Sequence, residues 1–121
     1  MPSVRTVLCI GNDPVPLNLR CSLLREHGWI ALTSGSGHDG IRRFGKEDVD
    51  AVVVDLNDDG SEAALITGEI KRLKPQTPVV ILVTNPKTLA PDATKQADAI
   101  VVKADESRRL LDVLAGLVWK Q

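Results

Sequence analysis

Four side chains stand where a ligand site could be assembled: Asp13, Asp55, Thr84 and Lys103. Each follows a short apolar run, and together they supply carboxylates, a hydroxyl and an ammonium. A carboxylate can attack phosphorus, hydroxyl and ammonium groups can hold phosphoryl oxygens, and oxygen ligands suit Mg2+. Taken singly, each has a plainer role. Asp13 is a good helix N-cap, Asp55 can open a polar turn, Thr84 can cap a helix and Lys103 can be a solvated lysine. The set becomes a site only if the elements before these residues bring them to one edge.

The apolar runs at 7–10, 29–32, 51–54, 79–83 and 99–102 are nearly continuous in Val, Ile, Leu and Ala. That is the pattern of strands buried on both faces of a parallel sheet. Helical spacing fills the intervals. Val15, Leu19, Leu23 and Leu24 make one stripe; Ala64, Leu65, Ile66, Ile70 and Leu73 a second; Leu110, Leu111, Leu114, Leu117 and Val118 a third. Asp13 with Pro14 and Pro16 signals the start of the first helix, and Gly28 its end. Gly60 and Ser61 start the third helix, which ends at Lys74 and Pro75. The second helix is expected over 39–46, and only a short fourth helix over 91–96, where Pro86 and Pro91 interrupt the pattern. The reading is (βα)₅, an open α/β sheet with helices on both faces. In such a sheet the carboxyl ends of the strands share an edge, and ligands bind there at the topological switch point.

The chain has 121 residues, which suits one domain, and 43 % hydrophobic with 26 % charged residues excludes a disordered or collagen-like chain. Its longest apolar run, 79–83, is far too short to span a membrane, and no signal peptide is legible. Fifteen basic and sixteen acidic residues give a net charge of −1, without the basic excess of a nucleic-acid binder. Cys9 and Cys21 have no metal-binding spacing, so reduced thiols in the cytoplasm are expected.

At this point the sequence resembles a known family, the CheY-like receiver domains of bacterial two-component response regulators, from about Arg5 to Val118. Val52-Val53-Val54-Asp55-Leu56-Asn57 with Gly60 is similar to the phosphoacceptor strand and loop. Thr84 matches the hydroxyl position, Val101-Val102-Lys103 the lysine, Asp13-Pro14 the end of the acidic loop, and Gly37 the glycine entering the second helix. The resemblance implies a doubly wound, flavodoxin-like sheet of order 2-1-3-4-5. It also implies that Asp55 accepts a phosphoryl group from a sensor histidine kinase or phosphotransfer protein. Lys103 and Thr84 would hold the phosphoryl oxygens, and the Asn57 carbonyl would be a metal ligand beside Asp55, Asn12 and Asp13.

The departures are specific. Gly11 and Asn12 stand where the family has two acidic residues that hold Mg2+. Losing both predicts Mg2+ binding weaker by about tenfold or more, ~1.4 kcal/mol. Asp13 and the Asp58-Asp59 pair could offset part of this, although a tight polar turn is the plainer reading of that pair. Asn85 replaces a small residue and is expected to crowd or shield the phosphoryl position. Ile100 stands at the aromatic switch position and cannot make a ring swing, and Ala104 replaces a proline. The segment between Thr84 and Lys103 is short by roughly one helical turn, so the fourth helix is expected to be reduced or displaced.

Other motifs carry less. Ser34-Gly35-Ser36-Gly37 lacks a P-loop or dinucleotide spacing and reads as a flexible connection. His27 and His38 read as solvated or capping, Cys9 as core, and Cys21 as lying off the main stripe of its helix. Trp119 reads as end packing, with a partner or dimer contact as the alternative. The expectation is a single receiver over 1–121 with no output domain, not an enzyme, signalling by contact with a downstream protein. It is expected to touch neither nucleic acid nor membrane directly, and a homodimer stays open. The alternative is a pseudo-receiver, a binding module that is not efficiently phosphorylated because of Gly11 and Asn12. An aspartyl phosphatase wants an acid where Asn57 stands, and a flavin domain wants a Ser/Thr-rich loop where 11–14 lie, so both rank lower.

Overall fold

The computed structural model describes residues 4–56 and 60–119. Five parallel strands, β1 (Arg5–Gly11), β2 (Trp29–Ser34), β3 (Ala51–Asp55), β4 (Val79–Val83) and β5 (Ala99–Val102), form one sheet in the order β2-β1-β3-β4-β5. Successive side chains on a strand point to opposite faces, so the unbroken apolar runs feed two cores at once. Val7, Cys9, Val53, Val80 and Leu82 face Leu17 and Leu24 of α1 (Pro14–Glu26) and Leu110 and Leu114 of α5 (Glu106–Val118). Leu8, Ile10, Val52, Val54 and Ile81 pack with Phe44 of α2 (Gly37–Lys46), Ile70 of α3 (Ser61–Leu73) and Ala93 of α4 (Pro91–Gln96). Full burial of each large aliphatic side chain contributes about 1.5–3 kcal/mol.

The helix ends follow the local signals. The Asp13 carboxylate accepts from Val15 N at 3.2 Å, and Pro14 takes the first helical position, where a missing N–H costs little. Ser36 caps α2 by accepting from Asp39 N at 3.1 Å, so that helix opens at Gly37, two residues earlier than expected. The glycine-rich segment before it is therefore a capped helix start, not a flexible connection. A Cβ at Gly40 would fall 2.5 Å from Ile10 Cδ1, so this glycine sets how closely α2 approaches the sheet. The fourth helix spans six residues, as expected, after a 3₁₀ turn at Pro86–Thr88.

Two apolar stripes point elsewhere than their spacing suggested. On α1, Val15 and Leu19 are about two thirds exposed, while Leu17, Arg20, Cys21 and Leu24 are buried. Cys21 thus lies on the buried face, beside Cys9 of β1. The neighbouring Cys21 side chain, reinforced by burial, holds the Cys9 thiol well above its ordinary pKa. On α3, Leu65 and Leu73 are exposed, and Ala63, Ala64, Thr67 and Ile70 face inward. Trp119 packs at the chain's end against Trp29, ring centres 5.2 Å apart, with the Arg5 guanidinium 5.9 Å from its ring.

Candidate functional site at the carboxyl edge of the sheet

The strand order reverses at β1, and Asp55 closes β3 beside it, in register with Gly11. That is the crevice where open α/β sheets place ligands. The Asp55 side chain is 2 % exposed, yet it is charged, so its oxygens need partners. Lys103, the residue after β5, brings its Nζ to 2.6 Å from Oδ1. Arg20 of α1 brings Nη2 to 3.1 Å from Oδ2. The same guanidinium donates to Glu106 at the start of α5, Nε to Oε2 at 2.5 Å and Nη2 to Oε1 at 3.1 Å. Two cations and two carboxylates thus tie α1, β3, β5 and α5 together at one point.

Burial of Arg20 works against its charge, but the hydrogen bond and charge of Glu106, joined by the charge of Asp55, outweigh it and raise its pKa above the ordinary value. The guanidinium therefore stays protonated throughout the range in which proteins fold. Its remaining nitrogen, Nη1, is buried and makes no hydrogen bond among the described residues. Arg20, Lys103 and Glu106 also line a crevice of about 350 Å3 between α1 and α5, walled by Pro16, Leu19 and Leu23.

The other expected residues divide. Thr84 is exposed and lines, with Lys103, Leu56 and Gly60, a cavity of about 20 Å3, roughly the space of one water. Asn85 is exposed, and its side chain accepts from Lys87 N at 3.0 Å, which starts the 3₁₀ turn. Asp13 is exposed and serves as the α1 cap; Asn12 donates from Nδ2 to the Leu56 carbonyl at 3.4 Å. Ile100 is partly buried and packs into the core under α2, α3 and α4. Asn57, Asp58 and Asp59 lie outside the described residues.

The described donors do not fit a divalent cation. Among the described residues no three of His, Cys, Asp and Glu are grouped to hold one ion. Both Asp55 oxygens already face cationic side chains. A Cβ at Gly11 would stand 3.3 Å from the Asp55 carbonyl oxygen and 3.4 Å from Leu17, so even a side-chain ligand there would need its neighbours to give way.

Sequence reasoning missed Arg20 and Glu106. An arginine in a helix reads as a solvated residue. The signal was available: Leu17, Cys21 and Leu24 form a second stripe on α1, and Arg20 sits on that face rather than opposite it.

No family model matches the chain. The transcriptional regulatory proteins GlrR of Escherichia coli K12 and QseF of Escherichia coli O157:H7 are each 34 % identical to it over 76 residues, which is 63 % of this chain and 17 % of each of those proteins. The chain thus spans about a sixth of the length of the curated relatives that it matches. Among solved structures, a CheY-like receiver domain protein from Methanospirillum hungatei superposes with a TM-score of 0.85 at 15 % identity, covering 98 % of this chain and 96 % of that one. The response regulator TrrA of Thermotoga maritima, in complex with Mg2+ and BeF, gives 0.85 at 22 % identity over 94 % and 99 % of the two chains. The receiver domain of a sensor histidine kinase from Pseudomonas aeruginosa, with magnesium coordinated in its active-site cleft, gives 0.83 at 18 % identity over 98 % and 100 %.

Proposed function

The chain has the CheY-like receiver fold, and from that premise we propose that it is a receiver of two-component phosphorelay signalling in which Asp55 accepts the phosphoryl group. The observation that carries this reading is a buried carboxylate at the carboxyl end of β3 with the Lys103 ammonium 2.6 Å from one oxygen. An Asp55 oxygen attacks phosphorus of a phosphohistidine on a sensor kinase or phosphotransfer protein. The P–N bond breaks, and the imidazole leaves. Lys103 pairs with the phosphoryl oxygens, and the Thr84 hydroxyl donates to one of them. Exposed Val15 and Leu19 on α1, beside the crevice over Arg20 and Lys103, give a protein donor an apolar surface next to the site.

Output in this reading passes through protein contacts, in the cytoplasm, to a downstream partner or a second copy of the chain. Among the described residues no helix is long and apolar enough to cross a membrane. Mg2+ has a weak hold at best, because Gly11 and Asn12 offer no carboxylate.

Incubation with acetyl phosphate and Mg2+, followed by intact mass, tests the acceptor. The expected result is a single phosphoryl adduct that is absent in Asp55→Asn. If the parent chain stays unmodified while an active receiver is labelled alongside, the pseudo-receiver reading replaces this one.

A further inference from the structure

Arg20 sits where the chemistry of this site calls for positive charge from another source. Phosphoryl acceptance by a carboxylate brings two anions together, and something must neutralise them in a dry site. The acidic residues that would recruit a dication are Gly11 and Asn12 here, and the described donors fit no such ion. In their place the Arg20 guanidinium lies against Asp55 Oδ2 at 3.1 Å, with both side chains almost fully buried.

We infer that Arg20 is the resident cation of this site, neutralising Asp55 and offering Nη1 to an incoming phosphoryl oxygen, so that Asp55 is phosphorylated without a divalent metal. This rests on Asp55 being the acceptor.

Three observations lead there. Arg20 and Lys103 each meet an oxygen of Asp55, so two cations already stand where a phosphoryl group on that carboxylate would add negative charge. Nη1 is buried without a hydrogen bond among the described residues, a cost that an anionic oxygen would remove. Glu106 holds the guanidinium by two hydrogen bonds, and its first, Nε to Oε2, leaves Nη1 uncommitted. A planar guanidinium fixed in this way presents its donors in a preset direction, which an ammonium on a flexible stem does not. With acetyl phosphate as donor the step balances: an Asp55 oxygen–phosphorus bond forms, the acetyl oxygen–phosphorus bond breaks, and acetate leaves with the electron pair.

The test is phosphorylation of the full chain by acetyl phosphate in excess EDTA and, separately, in Mg2+, read by intact mass. The expected result is labelling to the same extent in both. Arg20→Gln should lower the EDTA rate by about a hundredfold, as loss of a preorganised donor does, and Arg20→Lys should restore part of it. Circular dichroism reports whether the variants fold; if Arg20→Gln does not, the parent with and without metal, together with Arg20→Lys, decides. Labelling that requires Mg2+ overturns the inference and leaves Asp55 as the acceptor. Labelling in EDTA that a folded Arg20→Gln does not slow also overturns it. No labelling in either condition overturns the acceptor reading and this inference with it.

Discussion

Nη2 of Arg20 donates to Oδ2 of Asp55 across 3.1 Å, and neither side chain is more than 2 % exposed. The pair joins a helix to the strand end that it covers. Its geometry makes the packing of that helix on the strand end depend on the guanidinium.

Removing the cation alone should be costly. Arg20→Met leaves Asp55 buried with Lys103 as its remaining ion pair among the described residues, and a broken buried pair costs about 3–5 kcal/mol. Arg20→Met with Asp55→Asn removes both charges and should recover most of that loss. Urea unfolding of the two variants checks it. A single variant that loses less than about 1 kcal/mol would mean that the pair behaves as a solvated one.

Gly60 opens α3 with φ of 90°, a left-handed conformation, and a Cβ there would fall 2.3 Å from Leu89 Cδ1. Gly60→Ala should therefore destabilise the fold by about 1–2 kcal/mol, from the backbone conformation and from displacing Leu89. In a Leu89→Ala background the added loss should shrink to the backbone part alone. Equal losses in both backgrounds, measured by thermal unfolding, would show that the clash is absorbed.

Restoring acids should act differently at the two loop positions. Asn12 is exposed, so Asn12→Asp should tighten Mg2+ binding by about tenfold in titration calorimetry. Gly11 is crowded by the Asp55 carbonyl and Leu17, so Gly11→Asp should cost about 1 kcal/mol of stability as its neighbours move. If Asn12→Asp binds Mg2+ no better than the parent, the missing carboxylates are not what weakens the metal.

Much of the fold was readable because strong local signals agreed with the global arrangement. Residues 51–54 and 79–83 are unbroken apolar runs, which only a sheet covered on both faces can bury. Asp13 before Pro14 marked the start of α1, and the prolines at 86 and 91 limited α4 to six residues. The α1 face was misread, since Leu19 and Leu23 share a stripe as regular as that of Leu17, Cys21 and Leu24. Spacing alone does not say which stripe meets the sheet. The second stripe is the one that packs on the sheet, and Arg20 on the same face reaches Asp55 and Glu106.

By itself, the sequence determined the strand and helix pattern, and through it the shared edge at which Asp55, Thr84 and Lys103 end their strands. Those features rest on local periodicity, capping and chain direction, which a linear reading contains. Only the tertiary structure decided that Arg20 is buried and that Glu106, 86 positions further along, shares it with Asp55. A buried arginine is tolerated only when carboxylates from other elements surround it, and no local pattern records that meeting.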